Sequence, residues 1–177
     1  DVCSSDLVTL KATTAGILDQ TLDFEGVKAG VINIEISDQA KVEAIDYTNL
    51  TSPLVVTLNK CQFTEGNSIT IVSQSDVTLT GENSTFTQSQ IVADGKVVFQ
   101  GGTCTYDAIT ATAAAIDFNR ATYAVVTADA NEVSFKGGFH KGKITVNKGQ
   151  TDGTAFFETG MFYENIDCWS NASILNN

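Results

Sequence analysis

Residues 77–99 read VTLTGENSTFTQSQIVADGKVVF, and this stretch decides the fold. It opens with an alternating run that ends on Leu79 and closes with a second such run that ends on Phe99. Between them lie a turn string at Gly81-Glu82-Asn83, a lone aromatic at Phe86, a short apolar run around Ile91 and a second turn at Asp94-Gly95. Three strand-length segments separated by turn residues fit into about 20 residues. No segment has the 3.6-residue apolar period of a helix.

The unit recurs along the chain. Leu58, Leu79, Phe99, Phe118, Phe135 and Phe157 each end a strand-like trio, at spacings of 21, 20, 19, 17 and 22 residues. Turn residues follow each one. A second apolar position comes next, at Phe63, Phe86, Tyr106, Tyr123, Phe139 and Phe162. A third strand then centres on Ile71, Ile91, Ile109, Val126, Ile144 and Ile166. A coil this small cannot bury its own apolar residues. Stacked at about 4.8 Å, successive coils line those residues into columns down one core.

The repeat therefore predicts an all-β parallel solenoid of six or more coils, with three parallel sheets and Leu58 through Phe157 in one buried column. Thr57, Thr78, Asp117 and Ser134 alternate with the anchors and are expected outside. Gly101-Gly102 and Gly137-Gly138 supply positive φ at tight corners. Phe in the second column is expected to point inward, with Tyr106 and Tyr123 at a rim and their hydroxyls wet. An antiparallel β-sandwich is the alternative, because closely spaced short strands also suit one. Three columns held in phase over six coils favour the solenoid.

Over residues 31–168 this architecture resembles the right-handed parallel β-helix superfamily, which includes pectate lyases, tailspikes and surface adhesins. The resemblance rests on period and columns. It implies right-handed coiling. Polysaccharide lyases and hydrolases of this shape use clustered Asp, or a Ca²⁺ site with Arg or Lys as base, and no such motif is present in this chain.

Residues 8–30 fall outside the period and are expected to form an N-terminal cap or irregular segment, with the solenoid over 31–177. Asp1–Leu7 back-translates in one frame to GAC GTG TGC TCT TCC GAT CT, which matches part of a common short-read sequencing adapter. These residues, Cys3 included, are expected to be an adapter artefact and are excluded from fold reasoning, the alternative being a genuine mature N-terminus with Cys3 in a disulfide. The natural chain is then expected to extend beyond both ends of this sequence.

Composition bounds the function. Net charge is −11, with only 18% charged residues and a single proline, Pro53. Nucleic acid and anionic membrane are poor partners for such a surface, since phosphate binding needs clustered Lys and Arg. No apolar run reaches a membrane span. Three sequons, at Asn49, Asn83 and Asn171, fit a secreted or cell-surface protein and are the candidate glycosylation sites.

Candidate chemistry is sparse. Cys61 and Cys104 lie two coils apart, too far for a disulfide, and are expected as buried thiols. Ligand spacing of the C-x-x-C type is absent, so no zinc site is expected. His140, the only histidine, sits with Lys136, Lys141 and Lys143 in FKGGFHKGK, the one candidate patch for an anionic ligand. Asp76, Asp94, Asp129 and Asp152 precede trios at unequal offsets, which favours turn chemistry over a Ca²⁺ column. Thr-x-Thr pairs such as Thr78/Thr80 and Thr110/Thr112 suggest an ice-binding face but occupy different places in the coil. No catalytic, metal or cofactor site is expected.

The function expected is a non-enzymatic, extracellular structural or adhesive segment of a surface, fibre or matrix protein. Its expected partners are glycans and further copies joined through the coil ends. The alternative is a carbohydrate-binding or carbohydrate-active β-helix whose site lies outside this sequence.

Overall fold

The computed structural model describes residues 7–12, 17–37, 41–63, 68–148, 152–169 and 171–174. Among them the chain forms strands and turns, with no helix. The first coil carries β1 (Leu7–Ala12) and β2 (Ile17–Asp23), the second β3 (Val31–Ser37) and β4 (Lys41–Leu50). The third carries β5 (Leu54–Asn59), β6 (Gln62–Phe63) and β7 (Ser68–Ser73), the fourth β8 (Val77–Glu82) and β9 (Thr85–Ala93). Then follow β10 (Lys96–Phe99), β11 (Thr105–Phe118), β12 (Thr122–His140), β13 (Ile144–Val146), β14 (Thr154–Phe162), β15 (Ile166–Cys168) and β16 (Asn171–Ile174).

Every pairing between these strands is parallel. The chain is a parallel β-solenoid, and the antiparallel sandwich is excluded. β9, β11 and β12 run through corners without a break, so the three expected walls merge into one continuous sheet.

The first wall alternates as the sequence requires in β3 and β5, but in β11 and β12 Asp117 and Ser134, expected outside, are buried along with their neighbours. In β3 and β5 every second residue is buried, with Ile32, Ile34, Ile36, Leu54, Val56 and Leu58 all facing the core. The anchor column runs Leu10, Ile34, Val56, Leu79, Phe99, Phe118, Phe135, Phe157, Ile174. Leu58 is a correction: it stands beside Gly81 and Ile36, two residues away from the register expected of it. A two-residue slip leaves every side chain on its own face, so inside–outside alternation cannot detect it. The third wall has the same slip. Ile71 and Ile91 align with Ala111 and Ala128, while Ile109, Val126, Ile144 and Ile166 form a separate column.

Residues 8–30 also differ from expectation. β1 pairs with β3 and β2 with β4, so the ladder continues through them as a further coil. Phe24 then packs edge-on against Tyr47, with ring centroids 5.8 Å apart. The alternation of these residues is weaker, and the long gap from Leu10 to Ile34 hides them from a 20-residue period. The adapter reading concerns residues 1–6, which lie outside the described residues, and Leu7, which is exposed at the start of β1.

Corners set the coil length. Gly101 and Gly138 have φ of 121° and 97°, and a Cβ on either would stand 2.4 Å from a carbonyl oxygen of the coil beneath. Both conformation and closeness demand glycine there. Asn147 solves its corner differently. Its backbone is left-handed (φ 53°), and its buried Oδ1 accepts the Ala130 amide at 2.8 Å.

Candidate functional site

The core is built from two ring ladders. Phe99, Phe118, Phe135 and Phe157 stack with centroids 4.9–5.2 Å apart and nearly parallel planes. The second ladder runs Phe86, Tyr106, Tyr123, His140, Phe162 at 4.6–5.4 Å. The two meet edge to face, as in Phe118 against Tyr123 at 5.4 Å. Offset stacks and edge contacts are both favourable ring geometries. Tyr106 and Tyr123 are buried, so the expectation of wet hydroxyls is corrected. Tyr123 Oη donates to the Asn119 carbonyl at 2.6 Å and Tyr106 Oη to that of Gln100 at 2.8 Å. Burial raises both phenols well above their ordinary pKa.

His140, not Phe139, occupies the fourth rung. From the anchors Phe118, Phe135 and Phe157 the ladder residue follows at a constant offset of five, giving Tyr123, His140 and Phe162. That offset was a usable signal in the sequence. Phe139 sits one residue short of it and points outward, 47% exposed. His140 is fully buried, and its Nε2 lies 3.2 Å from the Gly137 carbonyl, so Nε2 carries the ring proton. Nδ1 has no hydrogen-bond partner among the described residues. Burial lowers the imidazole from 6.5 to about 4.

The lysines expected to join His140 are dispersed. Lys136 and Lys96 grip Asp117 from neighbouring coils, at 2.9 and 2.6 Å. They cover the Asp117 carboxylate, which is only 8% exposed although it lies on the outward row. Burial pushes that carboxyl up, but the hydrogen bonds and charges of the two lysines outweigh it and leave it below its ordinary range. Lys143 pairs with Asp167 at 2.6 Å on the third wall. Lys141 is exposed on the second. The four residues therefore form no single patch.

The acidic corner residues do not converge. Asp76 Oδ1 accepts the Lys96 amide at 2.7 Å, a turn role. Asp129 stands in β12 opposite Thr112, at a different point of the coil. No group of three metal-binding side chains occurs among the described residues. Cys61 and Cys104 are buried thiols at one corner, with Ser84 between them accepting the Cys61 amide. Desolvation raises the Cys104 thiol to about 12, far from a reactive thiolate. Asn49, Asn83 and Asn171 are all exposed, the first two with left-handed backbone.

The concave feature that the sequence did not reveal runs along the corner between the first and second walls. Gly102, Arg120, Gly137, Gly138, Phe139 and Met161 line a groove of about 640 Å³. Through Gly102 and Arg120 it joins a second trough of about 470 Å³ that reaches Gln100, Asn119 and Lys136. Regular glycine corners signal its floor in the sequence, but its walls depend on Phe139 facing outward.

No helix among the described residues is long and apolar enough to cross a membrane. No family model matches this sequence, and neither does any curated protein or solved structure. The likeness to parallel β-helices is one of fold.

Proposed function

We propose that this chain is a non-enzymatic structural or adhesive segment of a surface, fibre or matrix protein, working outside the cell. The observation that carries this reading is the unbroken ladder, in which ring stacks and backbone bonds link each coil to the next. Such a stack resists bending and shear, because deforming one coil strains the packing of its neighbours. The exposed sequon asparagines would carry sugars on its outer surface. Among the described residues β1 and β16 each pair on one side only, and self-association through the coil ends belongs to the same proposal.

An antibody to the chain, applied to intact and to permeabilised source cells, tests the reading. Labelling of intact cells, with a mass loss at Asn49 or Asn83 after glycan removal, supports it. Labelling only after permeabilisation refutes it.

A further inference from the structure

We propose that the glycine-floored groove between Gly102 and Met161 is a binding site for an anionic sugar chain, with Arg120 as its charge anchor and Phe139 as its stacking wall. The site stands on its own geometry and gives the adhesive reading a ligand class.

Start from the floor. Gly137 is bare backbone between two coils: a Cβ built on it would lie 3.4 Å from Arg120 Cγ and 3.6 Å from Thr159 Oγ1. Arg120, Gly137 and Thr159 are thus consecutive steps along the groove. Gly137 and Gly138 are glycine because of their positive φ. Gly102 is not: its φ is unexceptional and a Cβ there would meet nothing within 4 Å. Folding leaves Gly102 free to carry a side chain, and its absence keeps the groove open where the two troughs join.

The walls supply the chemistry. Phe139 and Met161 are register partners on adjacent strands, 47% and 56% exposed. An exposed ring beside a cleft offers a flat face for the C–H face of a pyranose. Arg120 is exposed and forms no ion pair or side-chain hydrogen bond among the described residues. In a chain of net charge −11, an unpaired guanidinium above an open groove favours an anion there. Its planar fork matches a carboxylate or sulfate. Asn119 and Gln100 line the adjoining trough and suit sugar hydroxyls. A neutral glycan would leave Arg120 unused, and an acidic peptide would make little use of the Phe139 face.

Titration calorimetry on the full chain tests this with four probes: an oligogalacturonate, a heparin-derived oligosaccharide, maltohexaose and an oligoglutamate. Saturable binding of the carboxylated or the sulfated oligosaccharide is expected, with the first two arms identifying which anion is read. Arg120→Gln and Gly102→Trp should each weaken it about tenfold or more, with Arg120→Lys intermediate because it keeps the charge and loses the fork. Thermal midpoints of the variants, measured alongside, should match the parent, so that lost binding is not lost fold. No binding of either anionic oligosaccharide, unchanged affinity in both variants, or equal affinity for maltohexaose would overturn the proposal. Oligoglutamate binding as tightly would also overturn it, in favour of an acidic peptide. A negative result leaves the structural reading standing, since cell labelling tests that separately.

Discussion

Tyr123 and His140 stack face to face across adjacent coils, with centroids 4.9 Å apart and planes 10° from parallel. Phe162 covers the other face of the imidazole at 4.6 Å. A titratable ring thus stands where the neighbouring coils place phenyl and phenol rings. Protonation would give Nδ1 a hydrogen with no acceptor in reach among the described residues, inside an apolar column.

The consequence is a pH dependence of stability with a definite sign. The folded state holds the imidazole neutral, with its pKa lowered from 6.5 to about 4 by burial. The unfolded chain binds the proton more tightly, so this contribution is complete above the unfolded pKa and is lost as pH falls through 6.5 toward 4. The loss should reach about 3 kcal/mol. His140→Phe keeps a ring in the rung and removes the titration. Urea unfolding from pH 7 to 4 should show a smaller decline for that variant than for the parent. Parallel declines would show that His140 does not titrate as the ladder requires.

Phe118 lies at the centre of the anchor ladder, stacked on Phe99 and Phe135 at 5.2 and 4.9 Å. Phe118→Ala should lower stability by about 3–5 kcal/mol, because hydrogen-bonded coils cannot close the cavity. Thr78→Ala, on the outward row, should stay within about 0.5 kcal/mol. Equal losses in thermal denaturation would reverse the assignment of inside and outside.

The sequence carried the fold because its strongest signal, the coil period, follows from the stacking itself. Phe99, Phe118, Phe135 and Phe157 occupy the column that their spacing implies. What escaped the sequence is what period and alternation cannot encode. Leu58 slipped by two residues without changing face. His140 and Phe139 exchanged roles because aromatic character pointed to Phe139, whereas His140 keeps the five-residue offset from its anchor that places Tyr123 and Phe162 in the ladder. The lysine patch failed for a related reason. Neighbours in sequence diverge onto different walls, while Lys96 and Lys136, 40 residues apart, converge on Asp117. The groove was hidden because its wall depends on Phe139 facing outward, which the glycine corners of its floor do not encode.

The Asp117 clasp should be a modest stabiliser. Both lysines are partly exposed, which screens the attraction. Asp117→Asn should cost about 1–2 kcal/mol at neutral pH. The carboxyl is held below its ordinary range in the folded state, so the contribution is present above the unfolded pKa and fades as pH falls through the folded one. Parent and variant should therefore converge in acid. A gap that persists at the lowest pH at which both fold would contradict the clasp.

The two glycine classes at the corners should behave oppositely. Gly138→Ala forces a Cβ to 2.4 Å from the Ala121 carbonyl at φ 97°, and should cost more than about 2 kcal/mol. Gly102→Ala, with open space around it, should lie within about 0.5 kcal/mol of the parent. Comparable thermal shifts would mean that the corner is not built as described.

The central claim, coils stacked in parallel with a fixed register, is tested most directly by NMR scalar couplings across backbone hydrogen bonds. The structure has Thr85 N donating to Cys61 O, Thr105 N to Ser84 O, Thr122 N to Cys104 O and Phe139 N to Ala121 O. The account predicts a coupling from each of these four amides to the named carbonyl carbon, always one coil earlier along one corner. Couplings from these amides to antiparallel partners, or from Thr105 to any carbonyl other than that of Ser84, would contradict it.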